Sequence, residues 1–121
     1  MDRAAVDSWL GRYVAAWKSG DAGEIGDLFS ESCRYRYWPG DEPLVGREAI
    51  VSSWLSHDDP AGTFDAAYSC WAIDGDRAVA NGTSTYTVPE QKVYDNVFLL
   101  LFDRDGRCDE FTEIYLKHPS G

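Results

Sequence analysis

The chain has 121 residues, 44% of them apolar and 26% charged, and a formal net charge of −10. That is long enough for one self-sufficient core and too apolar for wholesale disorder, so residues 1–121 are read as a single domain. The acidic balance, with no cluster of Lys and Arg, argues against a phosphate backbone or an anionic membrane as partner, because both require a basic footprint.

Val6, Trp9, Leu10, Tyr13, Val14 and Trp17 recur at helical spacing, which predicts an amphipathic helix over Arg3–Ser19 ended by Gly20. Asp21 is placed to cap a second helix, with Glu24 three residues on as in a capping box, and Ile25, Leu28 and Phe29 as its inner stripe. Ser30-Glu31-Ser32 breaks the pattern. Cys33–Trp38 alternates with period two and predicts a strand with Cys33, Tyr35 and Tyr37 on one face and Arg34 and Arg36 on the other. After the loop Pro39–Pro43, Gly46 precedes a third helix with Ala49, Ile50, Val51 and Trp54 inward, ending near His57. Strands follow over Thr63–Ile73 and Arg77–Val88, joined at Asp74-Gly75, a strong hairpin signal. Pro89-Glu90-Gln91 then turns the chain into two long strands, Val93–Phe102 and Arg107–Leu116, around Asp103–Gly106. Three helices and a run of antiparallel strands make an α+β protein.

Cys33, Cys70 and Cys108 are odd in number and widely spaced, and read as small buried residues rather than disulfide partners or zinc ligands. His57 and His118 have no metal-ligand spacing, so no metal and no cofactor is expected. Asp103-Arg104-Asp105-Gly106 resembles the start of a calcium loop but lacks its distal ligands, and reads as a hairpin turn. Asn81-Gly82-Thr83 matches a glycosylation sequon without a secretory signal, and Asp58-Asp59 reads as solvated loop charge. No apolar run is long enough to span a bilayer, and the first residues lack the basic and apolar regions of a signal peptide, so a cytoplasmic location is expected.

The last strand pair carries the clearest hint of a site. Alternation puts Phe111, Glu113 and Tyr115 on one face, and Tyr94, Asn96 and Phe98 together on the neighbouring strand. A carboxylate between aromatics on a covered face is costly unless it is hydrogen-bonded or protonated. Asn96 is placed to supply that bond. Five Trp, seven Tyr and five Phe would either fill the core or line a pocket with rigid walls and polar tips.

The segments Tyr13-x-x-x-Trp17-x-x-Gly20-Asp21, Leu28-Phe29, Pro43-Leu44-Val45-Gly46-Arg47-Glu48-Ala49-Ile50 and Phe102-Asp103-Arg104-Asp105-Gly106-Arg107-Cys108, in this order and spacing, resemble the NTF2-like superfamily, which includes SnoaL-like proteins and ketosteroid isomerase. Gly106–Glu113 is also similar to a group of small bacterial proteins of the nuclear transport factor 2 type. The resemblance implies a cone-shaped, cystatin-like α+β fold: three N-terminal helices packed on a strongly curved antiparallel sheet, with an apolar cavity at the open end. It also places the first-helix and first-strand aromatics Tyr13, Trp17, Tyr35 and Tyr37 at the cone's wall, opposite Glu113, Asn96, Phe98, Phe111 and Tyr115, while Trp54 is expected in the core with Trp9, Leu28, Phe29 and Ile50 and at the edge of the pocket. Tyr13 matches the first-helix Tyr that donates to the oxyanion in ketosteroid isomerase. That enzyme's general-base Asp falls at Tyr37, its second oxyanion donor at Phe98 and a pocket Trp at Tyr115, so the resemblance does not extend to steroid isomerisation. The Asp-Arg-Asp set of the superfamily's epoxide hydrolases and the two His of the scytalone-dehydratase type are not recognisable.

Three functions remain open on these residues. An acid/base enzyme (isomerase, cyclase or dehydratase type) would use Glu113 as its catalytic group, oriented by Asn96, with Tyr13 or Tyr37 polarising an oxygen of a small apolar or aromatic ligand. Trp17, Tyr35, Tyr37, Trp54, Phe98, Phe111 and Tyr115 would contact that ligand. A binding module would use the same walls without turnover, and an interaction protein would fill the cone with its own aromatics. Leu99 and Leu101 point away from Asn96 and Phe98, which suggests a homodimer through the outer sheet face.

Overall fold

The structure is a computed structural model and describes residues 1–57 and 59–119. Helix α1, Arg3–Ser19, is capped by the Asp2 carboxylate, which accepts from the Ala5 N–H at 2.8 Å. It ends at Gly20, whose φ of 64° is the left-handed conformation that glycine adopts without steric penalty. Val6, Trp9, Leu10, Tyr13 and Ala16 form its buried stripe.

Helix α2, Ala22–Asp27, is shorter than its apolar spacing suggests. Asp21 caps it through the Glu24 N–H, but the Glu24 carboxylate turns to the Ser19 hydroxyl instead of closing a capping box. Leu28 and Phe29 leave the helix because the Leu28 carbonyl is claimed from outside it, by the Trp9 indole N–H at 3.0 Å and the Cys108 N–H at 2.8 Å. Strand β1 therefore begins early and spans Phe29–Arg36, and the two-residue strand β2, Leu44–Val45, pairs with it. Gly46 opens helix α3, Arg47–Ser56, with φ of 98°, and its N–H bonds the Cys33 carbonyl.

Strands β3 (Phe64–Asp74), β4 (Arg77–Tyr86), β5 (Lys92–Phe102) and β6 (Cys108–Lys117) form an antiparallel meander. Asp103 shapes the last turn through its carboxylate, which accepts from the N–H groups of Asp105 and Arg107, while Gly106 supplies a φ of 77°. The six strands lie in the order β2-β1-β6-β5-β4-β3. One pairing departs from a wholly antiparallel sheet: β1 runs parallel to β6, so the curved sheet is mixed. These two strands are joined by the whole α3–β5 excursion rather than by a hairpin, so no local turn dictates their direction. Register shifts interrupt β1, β3 and β6 pairings, each a point at which the sheet bends.

The helices close the concave face. Trp9, Leu28, Phe29 and Ile50 sit in the core with no more than 1% exposure, whereas Trp54 is only partly buried and turns toward the cavity. All three cysteines are buried and free. Gly82 on β4 faces the same concave side, and a side chain there would run into the Ala67 carbonyl and the Tyr68 ring. The missing Cβ is what lets Tyr68 lie across the strand. No helix among the described residues is long and apolar enough to cross a membrane.

Candidate functional site

Between the concave sheet and helices α1 and α3 lies a cavity of about 520 Å³. Every one of the chain's seven tyrosines lines it, with Trp17 and Trp54. A space of this size, with rigid aromatic walls that carry polar tips, has the dimensions of a small-molecule site.

Glu113 stands opposite Phe98 in the β5–β6 register, and Asn96 opposite Tyr115. The diagonal brings the Asn96 amide to Glu113, and Nδ2 donates to Oε2 at 3.0 Å. Asn96 is held in turn by Ser84 on β4, whose hydroxyl donates to Oδ1 at 2.9 Å. That second bond occupies the carbonyl end of the amide and commits the N–H end to Glu113. Burial pushes the Glu113 carboxyl up from 4.5 to about 7, against the opposing pull of the Asn96 bond, which favours the charged form. Burial also raises the phenols of Tyr13, Tyr35, Tyr37, Tyr68 and Tyr86, and the Glu113 charge adds to the rise in all five. Tyr35 contributes further at Tyr13, and Asp59 at Tyr86. The five phenols are thus neutral donors grouped around one carboxyl.

The other anticipated residues divide between wall and support. Tyr13 is crossed by Trp54 at 5.0 Å between ring centroids, and Tyr37 shares a 2.8 Å hydrogen bond with Ser53 on α3. Trp17 stacks on Phe64 at 4.2 Å and donates its indole N–H to Asp59 at 3.2 Å. Asp59 is thereby drawn into the lining rather than left as solvated loop charge; Asp58 lies outside the described residues. Tyr115 is 42% exposed and meets Trp38 and Tyr94 edge-on, so it belongs to the mouth. Phe98 and Phe111 correct the expected ligand contacts, for neither lines the cavity. Both have no exposed surface and lie beneath the floor, with Tyr35 stacked on Phe111 at 4.4 Å and Tyr68 tilted against Phe98 at 4.7 Å.

Tyr68, Ser84 and Tyr86 join the lining without having been singled out from the sequence, and Tyr94 lines it on the face it was expected to share with Asn96. The signal was available: the alternation that sorts β5 and β6 also puts Ser84 and Tyr86 on the inner face of β4. Among the described residues, no group of three or more His, Cys, Asp or Glu is assembled as a metal-binding cluster.

The profile of the SnoaL-like domain family matches residues 10–111. Among curated proteins, none matches the chain in sequence. Two solved structures illustrate the likeness in fold. An NTF-2 like protein of unknown function from Burkholderia xenovorans LB400 superposes with a TM-score of 0.75 at 14% identity, over 98% of this chain and 88% of that one. A LEH-like epoxide hydrolase from M. tuberculosis superposes with a TM-score of 0.71 at 12% identity, over 94% of this chain and 84% of that one.

Proposed function

Because the chain belongs to the SnoaL-like domain family, within the NTF2-like superfamily, we propose that it binds a small apolar or aromatic molecule in the Glu113 cavity and acts on it by proton transfer. In this reading Glu113 is the acid/base, Asn96 holds it, and Tyr13 polarises an oxygen of the ligand. The observation that carries the reading is the Glu113 carboxyl, raised to about 7 by burial and lining an aromatic cavity. A group with that value populates both protonation states near neutrality, as general acid–base catalysis requires. With Oε2 tied to Asn96, the mobile proton belongs on Oε1. Isomerisation, cyclisation and dehydration are the reaction types that need only such a proton shuttle. The cavity's volume weighs against a cone filled by its own side chains. A binding module without turnover would use the same walls, and the test separates the two.

Aryl ketones that quench Trp17 and Trp54 fluorescence are incubated with the protein in D₂O, and α-proton exchange is followed by NMR. We expect a bound ketone to exchange on the order of 10²-fold faster than in buffer, the usual yield of one general acid or base. Glu113→Gln should hold the ketone but lose the exchange. Bound ketones that exchange no faster than in buffer would leave the binding module as the function.

We also propose a second copy of this chain as partner, docked on the outer face of the sheet. Trp71 is 68% exposed, Leu116 64% and Leu99 43%, and Val79 is in register with Leu99. Leu101 contributes less than the sequence suggests, being half-buried between Arg77 and Glu110 in register. An apolar patch of this kind favours self-association. Light scattering at micromolar concentration should report twice the chain mass, and Leu99→Lys should halve it. A wild-type monomer at that concentration would remove the proposal.

A further inference from the structure

Aromatic rings make up most of the cavity wall. Seven tyrosines and two tryptophans line it, and the negative face of an aromatic quadrupole attracts cations. The carboxyl among them has no cationic side chain for company. Among the described residues, no ion pair is made by Glu113, and Asn96 is its hydrogen-bond partner on Oε2. Lys92 lines the cavity too, but it sits four residues before Asn96 on β5, on the order of 13 Å away along an extended strand. It pairs in register with Tyr86, toward the mouth. A net charge of −10 draws small cations toward the protein as a whole.

We propose that the cavity is the site of a hydrophobic organic ammonium ion, with its positive nitrogen set against Glu113 Oε1 and ringed by the tyrosine and tryptophan faces. This names the ligand class and rests on the reading of the cavity as a small-molecule site, though not on turnover there. The ligand's charge supplies the counter-ion that the fold omits, and the walls supply cation–π contacts that strengthen where water is excluded. A neutral carbonyl ligand held instead by a hydrogen bond from Glu113 would select the protonated carboxyl. The two therefore respond oppositely to pH. The ammonium ion selects the carboxylate, so its affinity rises as pH passes upward through about 7. The groups facing Glu113 from other elements are the phenols of Tyr13 on α1, Tyr35 and Tyr37 on β1, Tyr68 on β3 and Tyr86 on β4, all raised by burial. Asp59, Lys92 and His57, with Tyr94 and Tyr115 of the β5–β6 pair itself, complete the charged and titratable lining, His57 edge-on to Tyr37.

The experiment compares two isosteres, benzyltrimethylammonium and neopentylbenzene, by quenching of tryptophan fluorescence in the whole chain between pH 5.5 and 8.5. We expect the cation to bind at least tenfold more tightly than its neutral isostere at the high end, and the preference to shrink to about threefold at the low end as the carboxyl is neutralised. Glu113→Gln should erase the preference and its pH dependence while still binding neopentylbenzene. Equal or tighter binding of the neutral isostere by the wild type at pH 8.5 would overturn the ammonium proposal and leave the small-molecule cavity standing. A preference that survives in Glu113→Gln would overturn it as well. Failure of both isosteres to bind the wild type would remove the ammonium site and the cavity reading together.

Discussion

Glu113→Gln is expected to make the protein more stable at alkaline pH, by about 3 kcal/mol at pH 8.5, and to leave it unchanged near pH 4.5. The folded carboxyl titrates at about 7 and its unfolded counterpart at about 4.5. Below the lower value both states hold the proton, and the carboxyl brings no penalty. Between the two values the native state retains a proton that the unfolded chain has released, so stability falls by about 1.36 kcal/mol for each pH unit. Above the upper value the loss saturates. Gln keeps the shape and still accepts from Asn96, but has no charge to bury. Urea titrations of both proteins across this range, taken as a difference, isolate Glu113 from every group the two share. Parallel curves would mean that the carboxyl is not raised. Against a typical total of about 5–15 kcal/mol, a 3 kcal/mol sacrifice at one position is large. A residue less stable than its own isostere is what a functional group looks like in a stability measurement.

The parts of this site that were legible in the sequence are those set by local rules. Alternation and a tight turn suffice to bring Asn96 beside Glu113, because both act within one hairpin, and the 3.0 Å contact follows from the register they impose. Helix α1 was equally legible: its apolar stripe and Gly20 mark both ends without help from the rest of the chain. The boundary of α2 was not, because Leu28 and Phe29 satisfy a helical stripe on paper. What pulls them into a strand is the Trp9 indole and the Cys108 amide, 19 and 80 residues away. Strand β2 has only two residues, too few to carry a period. The parallel direction of β1 against β6 depends on the path of the intervening chain and leaves no mark on either segment. In β3 the shift between Cys70 and Ala72 breaks alternation in mid-strand, so the inward turn of Tyr68 cannot be counted from the far end. Phe98 and Phe111 show the limit of face assignments. Alternation puts them on the correct side of the sheet, but depth below that face depends on what packs over it, here Tyr13, Tyr35 and Tyr68.

That depth makes Phe111 the position where a truncation should do most damage to the fold. Its ring has no exposed surface and stands in aromatic contact with Trp9 and Tyr13 of α1, Phe29 and Tyr35 of β1, and Phe98 of β5. It joins the first helix, the first strand and the meander in one cluster. Phe111→Ala removes the buried ring and leaves a void that five large neighbours cannot close, a loss of about 3–5 kcal/mol. Melting should fall by on the order of 10–20 °C for a domain of this size, measured by circular dichroism. The stacked tyrosines would lose their backing, so this variant cannot tell a floor residue from a ligand contact. Phe111→Leu can, since it keeps most of the volume and should cost about 1–2 kcal/mol. If the ring only supports Tyr13 and Tyr35 from below, Phe111→Leu binds any cavity ligand within about threefold of the wild type, a difference under 1 kcal/mol. A tenfold or greater loss of affinity in a folded Phe111→Leu protein would put the ring back among the ligand contacts and the floor of the cavity one layer deeper.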